Sequence, residues 1–379
     1  MFRLNIGVNT KRRNDIDWLR AFAILVVFLF HCAVFFSYED WPAKNNQLSF
    51  GMTVFVSVVN QWIMPLFFIL SAISSYHALE RRSNRTYIAE RSKRLAVPLV
   101  FGIFAMAPFQ VYIERVTHGE FTGSFASFFP HYFDGFYRLG GNFAWMGIHL
   151  WYLEMLFIFS IVTLPLFRLL GRETMQSFGS GIAGFFGKPG AIFLFSIPIA
   201  VVEMLTNLQP DTIGRRDFGG WSPVVYLVLF VLGYLIAGDQ RIRQRIEKER
   251  ITALLLGAAA TAAGYFLLTS GSSSRTLFFS FLRAFNSWCW LMAILGFGSR
   301  HLTLRKDFLL YANEAVLPFY ILHQTVIVAI GFLIAGWEMG VMSKYIVLAT
   351  ASFMMIFLLY DGVIKRIPIL RFLFGMKFR

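Results

Sequence analysis

Apolar residues fall into long blocks along this chain, and short charged stretches separate the blocks. An unbroken apolar run of about 20 residues is what an α-helix needs to cross ~30 Å of hydrocarbon. On that basis the pattern predicts spans at 16–37, 51–76, 95–113, 148–167, 190–206, 222–238, 251–269, 277–298, 315–336 and 344–364. The expected fold is all-α: a single transmembrane domain over 1–379, a polytopic bundle of about ten helices with short tails. The first block is too long for the apolar core of a signal peptide and lacks a small-residue cleavage site, so it reads as a span.

Composition agrees, with 57% of residues in the AVILMFWYC set and 15% charged. A soluble chain of this length would carry more charge on its domain surfaces. Cys32 and Cys289 both sit inside apolar blocks and suggest neither a disulfide framework nor a metal site. The formal charge of +14 changes the picture through its placement. With the N-terminus in the cytoplasm, 26 of the 35 Lys and Arg fall inside and 7 outside. The inner runs are Lys11–Arg13, Arg81–Arg94, Arg241–Arg250 and Lys365–Arg379. By the positive-inside rule both termini are cytoplasmic, and the basicity is topological, not a sign of nucleic acid.

Ionisable groups inside a span cost about 2.5–3.5 kcal/mol each on insertion scales, so each needs a reason. Arg20 and His31 are eleven residues apart in the first span, on one helical face and about 16 Å apart. Asp17 reads as an interfacial cap or as the partner of Arg20. Counted by depth, His31, Glu154 and Arg283 lie at similar levels in the outer half, so a carboxylate could orient the imidazole. Two plainer readings stand beside this one: His31 bonded to a neighbouring carbonyl, and Glu154 paired structurally with Arg283. Arg91 and Arg94 stand at the expected start of the third span. There two guanidiniums and a helix N-terminus would make a phosphate site, or simply anchor the topology.

Five segments occur in order: "DIDWLRAFAILVVFLFH" at 15–31, "PLFFILSAISS" at 65–75, "RSKRLAVP" at 91–98, "HLWYLEMLFIFS" at 149–160 and "LPFYILHQTVIV" at 317–328. Together they resemble the integral-membrane acyltransferases called acyltransferase family 3, over nearly the whole chain. The tail "KRIPILRFLFGMK" and "FYILHQ" also resemble the branch that puts succinyl groups on periplasmic glucans. The resemblance implies that His31 is the catalytic base or takes the acyl group itself; on depth, Glu154 is the carboxylate that would orient the ring. It ties Arg20, Arg91, Arg94 and Ser71 to the acyl donor. Ala72 stands where the family usually has Gly, which touches any role needing close backbone approach there. Arg283, His323, Trp151 and Tyr320 are the expected substrate-side residues. His323, about 12 Å into the ninth span, counts as about 10 Å shallower than His31.

The implied reaction moves an acetyl or succinyl group from cytoplasmic acyl-CoA to a hydroxyl of an extracytoplasmic, carbohydrate acceptor, without a metal. The longest outer loop, 114–147, offers aromatics with Asp134, Arg138 and Asn142 for a sugar, or for an interfacial aromatic belt. Membrane lipid is the expected surrounding, a bacterial inner membrane the expected location, and a homodimer is compatible. The rival class is a proton-coupled transporter or channel whose His, Glu and Arg line a solute path.

Overall fold

The computed structural model describes residues 13–208, 218–270, 277–304 and 306–377. Lys11, Arg12 and Arg379 of the basic runs lie outside the described residues. Among the described residues, seven helices are long and apolar enough to cross a membrane: α1 (Asn14–Val34), α2 (Phe50–Leu79), α3 (Asn84–Thr117), and four later ones. Three bent pairs bring the possible spans to ten. The first, α4, is Ile148–Val162 continuing after a 49° bend as Leu164–Leu170. The second, α5, turns 120° between Gly179–Phe186 and Ala191–Asn207. In α6, Pro223–Gly238 turns by 103° into Gln240–Lys248. The remaining long helices are α7 (Arg250–Leu267), α8 (Leu277–His301), α9 (Asp307–Ile334) and α10 (Val341–Ile364). The short α11 (Pro368–Leu373) follows. The chain is thus an all-helical, polytopic membrane bundle.

The bends have local causes. Pro165 sits in the first turn after the α4 break, where its missing N–H costs nothing and its ring stops the preceding helix. At the α6 bend Asp239 caps the charged second half, its Oδ1 accepting from the Arg241 N–H at 2.7 Å. That half buries only Ile242 and Ile246, so its stripe lies flat and the rest of its surface stays polar.

The first helix is central: α1 packs against α2, α8, α9 and α10. The Arg20–His31 face therefore looks into the bundle. Close helix approach depends on glycine at defined points, as is common for membrane helices. A Cβ on Gly233 of α6 would stand 2.9 Å from the Ala72 Cβ on α2. Ala72, on α2, is thus approached closely by a glycine of the facing helix. The long loop 114–147 has its own small core, packed with Val111 of α3 around Phe128 and Tyr132. Arg115 fastens it, bonding Asn142 Oδ1 at 2.8 Å, Glu120 at 2.7 Å and the Gly141 carbonyl at 2.9 Å.

Candidate active site

A cavity of about 700 Å³ is walled by α1, α2, α3, α4 and α9 and by Gly375–Lys377 after α11. Its charged lining is Arg20, Arg82, Arg91, Arg94, Lys365 and Lys377 against Asp17, Glu90 and Glu314. Basic groups outnumber acidic ones, which suits a polyanion. Arg20 is held from two sides, 3.5 Å from Asp17 and donating to the Leu70 carbonyl at 3.1 Å. Arg91 donates to Ser75 Oγ at 2.8 Å and lies 5.1 Å over the Tyr87 ring. The Arg94 side chain makes no hydrogen bond or ion pair among the described residues, although the charges of Arg91 and Arg20 act on it. A guanidinium that feels Arg91, Arg20 and Glu90 but is bonded to none of them is a ready contact for an incoming anion. Ser71 lines the same cavity, its Oγ 2.7 Å from the Tyr152 hydroxyl.

One expectation about this pair is corrected. Helix α3 begins at Asn84 with Ser83 as its cap, so Arg91 and Arg94 lie about 10 and 15 Å along it and not at its N-terminus. The helix dipole fades within the first turn and adds little there. Hydropathy placed the start at 95 because 84–94 is a charged helical stretch. What is special at this point is a π-helical turn, Ser92–Ala96, which carries Arg94. Such turns are frequent at functional sites, because the extra residue re-aims a side chain.

Above the cavity, three imidazoles meet. His31 Nδ1 lies 3.0 Å from His323 Nε2, and 3.0 Å from the Val27 carbonyl one turn below. His323 Nδ1 lies 2.5 Å from the Tyr320 carbonyl, so it must carry a proton and donate it. In a neutral His323 the Nε2 is then an acceptor, and His31 donates its Nδ1–H to it. The proton-free position of a neutral His31 is therefore Nε2. His323 is fully buried, whereas His31 keeps part of its surface accessible. His149 stands edge-on to His323, ring centroids 5.3 Å apart. Among the described residues no group of three or more His, Cys, Asp or Glu is arranged to hold a metal ion.

The expected depth difference between the two histidines is overturned. Helix α9 starts at Asp307, not 315, because its first turns carry Asp307, Asn313 and Glu314 and escape a hydropathy reading. His323 is sixteen residues along α9 and His31 seventeen along α1, about 24 and 26 Å of rise. The cavity stops short of them. Its highest lining residue on α1 is Ile24, and Tyr152 and Tyr320 line its wall below the imidazoles. Tyr320 donates its hydroxyl to the His149 carbonyl and thereby belongs to both levels.

Glu154 and Arg283 do not join this group. Arg283 Nη1 pairs with Glu203 of α5 at 2.8 Å, and its guanidinium lies 4.0 Å over the Trp221 ring. Arg283 also bonds the Gly220 carbonyl. No hydrogen bond or ion pair among the described residues joins Glu154 to His31, and its Oε2 is buried without a hydrogen-bond partner. The charge that acts on Glu154 is Arg138 of the 114–147 loop. The position next to His31 is taken by His323. Trp151 packs on Tyr226 and Phe218, centroids 5.6 Å in each case, and is not part of the cavity wall. Of the loop residues, Asn142 is used internally, accepting from Arg115 and donating to the His131 carbonyl at 2.9 Å. Sequence reasoning missed His149, Gln110 and Glu203 as partners. His149 opens one of the five motifs, which was its only signal.

A transmembrane bundle with a basic cavity below a histidine pair is a frame for group transfer within a membrane. The family model described as acyltransferase domain matches residues 13–361, and the chain belongs to that family, acyltransferase family 3. The protein is a membrane-bound O-acyltransferase, which sets aside the transporter alternative. Among curated relatives, it is 23% identical to "Glucans biosynthesis protein C" of Salmonella schwarzengrund (strain CVM19633), over 98% of this chain and 96% of that one. The protein of the same name from Escherichia coli (strain SMS-3-5 / SECEC) is 23% identical, with the same coverage. The Escherichia coli (strain K12 / DH10B) protein is 22% identical over 98% of this chain and 96% of its own. No solved structure matches.

Proposed function

We propose that this acyltransferase takes an acetyl or succinyl group from cytoplasmic acyl-CoA and places it on a hydroxyl of a glucan or similar carbohydrate outside the membrane. The bundle would cross ten times with both termini in the cytoplasm, in a bacterial inner membrane. What favours that orientation is the inner excess of Lys and Arg. It puts the basic cavity on the side where coenzyme A thioesters occur. The glucan acceptor is argued from the name of the curated relatives, and succinyl from the resemblance of the tail.

In this reading Arg20, Arg91 and Arg94 hold the phosphates, and the pantetheine arm extends upward along Ser71 and Tyr152. The Tyr152–Tyr320 layer must part for the thioester to reach His31. His31 Nε2 takes the proton of the acceptor hydroxyl as its oxygen attacks the thioester carbonyl. The C–S bond breaks, and the imidazolium returns the proton to the leaving thiolate. His323, accepting the Nδ1–H, fixes the tautomer and stabilises the charged ring, the part a carboxylate plays in other dyads. The observation that carries the reading is the 3.0 Å His31–His323 contact with His323 Nδ1 committed to a carbonyl. The test is free-thiol release by purified protein from succinyl-CoA and acetyl-CoA, with and without an oligoglucan. Acceptor-dependent release with one of these donors is expected. No release from either in the presence of glucan would refute the donor and acceptor assignment.

A further inference from the structure

The corner that leads into α4 is strained. Gly147 has φ +69° and Ile148 φ +55°, and Ile148 is the only non-glycine with positive φ among the described residues. For a β-branched side chain that conformation is an outlier, and such outliers persist only where surrounding contacts over-determine them. The residue it delivers is His149, which is buried and bonded on every side. His149 Nε2 lies 3.1 Å from the Ile321 carbonyl and must donate to it. Its Nδ1 then accepts from Gln110 Nε2 of α3, at 3.4 Å. Gln110 also donates to Thr325 Oγ1 of α9 at 2.8 Å. The His149 backbone carbonyl accepts the Tyr320 hydroxyl.

The three bonds that His149 and Gln110 make to α9 all fall between Tyr320 and Thr325, the turn that carries His323. Pro318 lies just before it and deprives the Glu314 carbonyl of its helical donor, so α9 is weakened at this point. The Tyr320 carbonyl that fixes the His323 tautomer belongs to the same turn. We propose that His149 is a positioning residue: set by the strained Gly147–Ile148 corner and by Gln110, it clamps the Tyr320–Thr325 turn so that His323 meets His31. The inference rests on the reading of His31 as the base.

The test uses the purified full chain with acyl-CoA and acceptor. His149→Leu keeps bulk and removes both ring bonds. Its kcat is expected to fall roughly ten- to a hundredfold, the scale for a misplaced catalytic group, with KM for acyl-CoA unchanged. His149→Gln, which can still donate to the Ile321 carbonyl, should recover most of the rate. In a His323→Ala background, His149→Leu should cost nothing further, because the residue it positions is gone. Wild-type kcat in His149→Leu, or losses that multiply in the double variant, would overturn the inference. Should His149→Leu not accumulate in the membrane, Gln110→Leu decides the matter. It should lower kcat with KM unchanged, and wild-type kcat would count against the clamp. His31→Ala, run alongside, separates the two readings. If it is inactive while His149→Leu is fully active, only the clamp fails. If it is active, the base assignment itself fails.

Discussion

His31 and His323, 292 residues apart in sequence, meet at 3.0 Å through Nδ1 and Nε2. The bond leaves His31 Nε2 as the proton-free nitrogen of the pair and gives His323 a role that ends at its neighbour. His323→Ala should therefore lower kcat by roughly 10²-fold without weakening donor binding. Combined with His31→Ala it should add no further loss. Multiplicative losses in the double variant would show that His323 acts on its own.

Arg94→Ala and Arg91→Ala should weaken acyl-CoA binding while the protein still folds. A lost charge-assisted phosphate contact is worth about 1.5–3 kcal/mol, or roughly a ten- to hundredfold rise in Kd. Arg94 is the cleaner test, since its removal breaks no hydrogen bond or ion pair among the described residues. Titration with a non-hydrolysable acyl-CoA analogue measures it. An unchanged Kd in both variants would return these residues to anchoring the topology.

Arg283→Ala and Glu203→Gln should behave as stability variants. Glu203 is fully buried and Arg283 nearly so, at 0% and 14% side-chain exposure. Removing one partner of such a pair typically costs about 3–5 kcal/mol. Thermal unfolding in detergent should show a clear drop for each, and the folded fraction should keep its KM for acceptor. A raised KM with unchanged stability would restore Arg283 to the substrate side.

Reporter fusions after Lys44 and Arg138 should report the outside, and those after Arg85 and Arg243 the cytoplasm. The C-terminus should be cytoplasmic. An external C-terminus would invert the placement of the donor cavity.

Apolar runs alone predicted the helical bundle and the Arg20–His31 face, because both depend on properties local to one helix. The helices α3 and α9 were placed too short. Their first turns, 84–94 and 307–314, are polar yet helical, and hydropathy registers where lipid begins, not where the helix does. That error alone made His323 look too shallow to meet His31. The choice of partners was not legible either. Matched depth allowed Glu154 or Arg283 beside His31, but azimuth around each helix decides contact, and only packing sets it. Arg283 turned instead to Glu203, 80 residues away. The bond from His149 to α9 spans 172 residues and left no local pattern.

The central claim is that His31 is the base of acyl transfer, and one comparison tests it most directly. Acceptor-dependent thiol release from acyl-CoA is measured for the wild-type protein and His31→Ala at matched amounts, with thermal stability and donor Kd recorded for both. The account predicts a loss of roughly 10²–10⁴-fold or more in kcat, with Kd and stability close to wild type. A well-folded His31→Ala protein that turns over at the wild-type rate would contradict it.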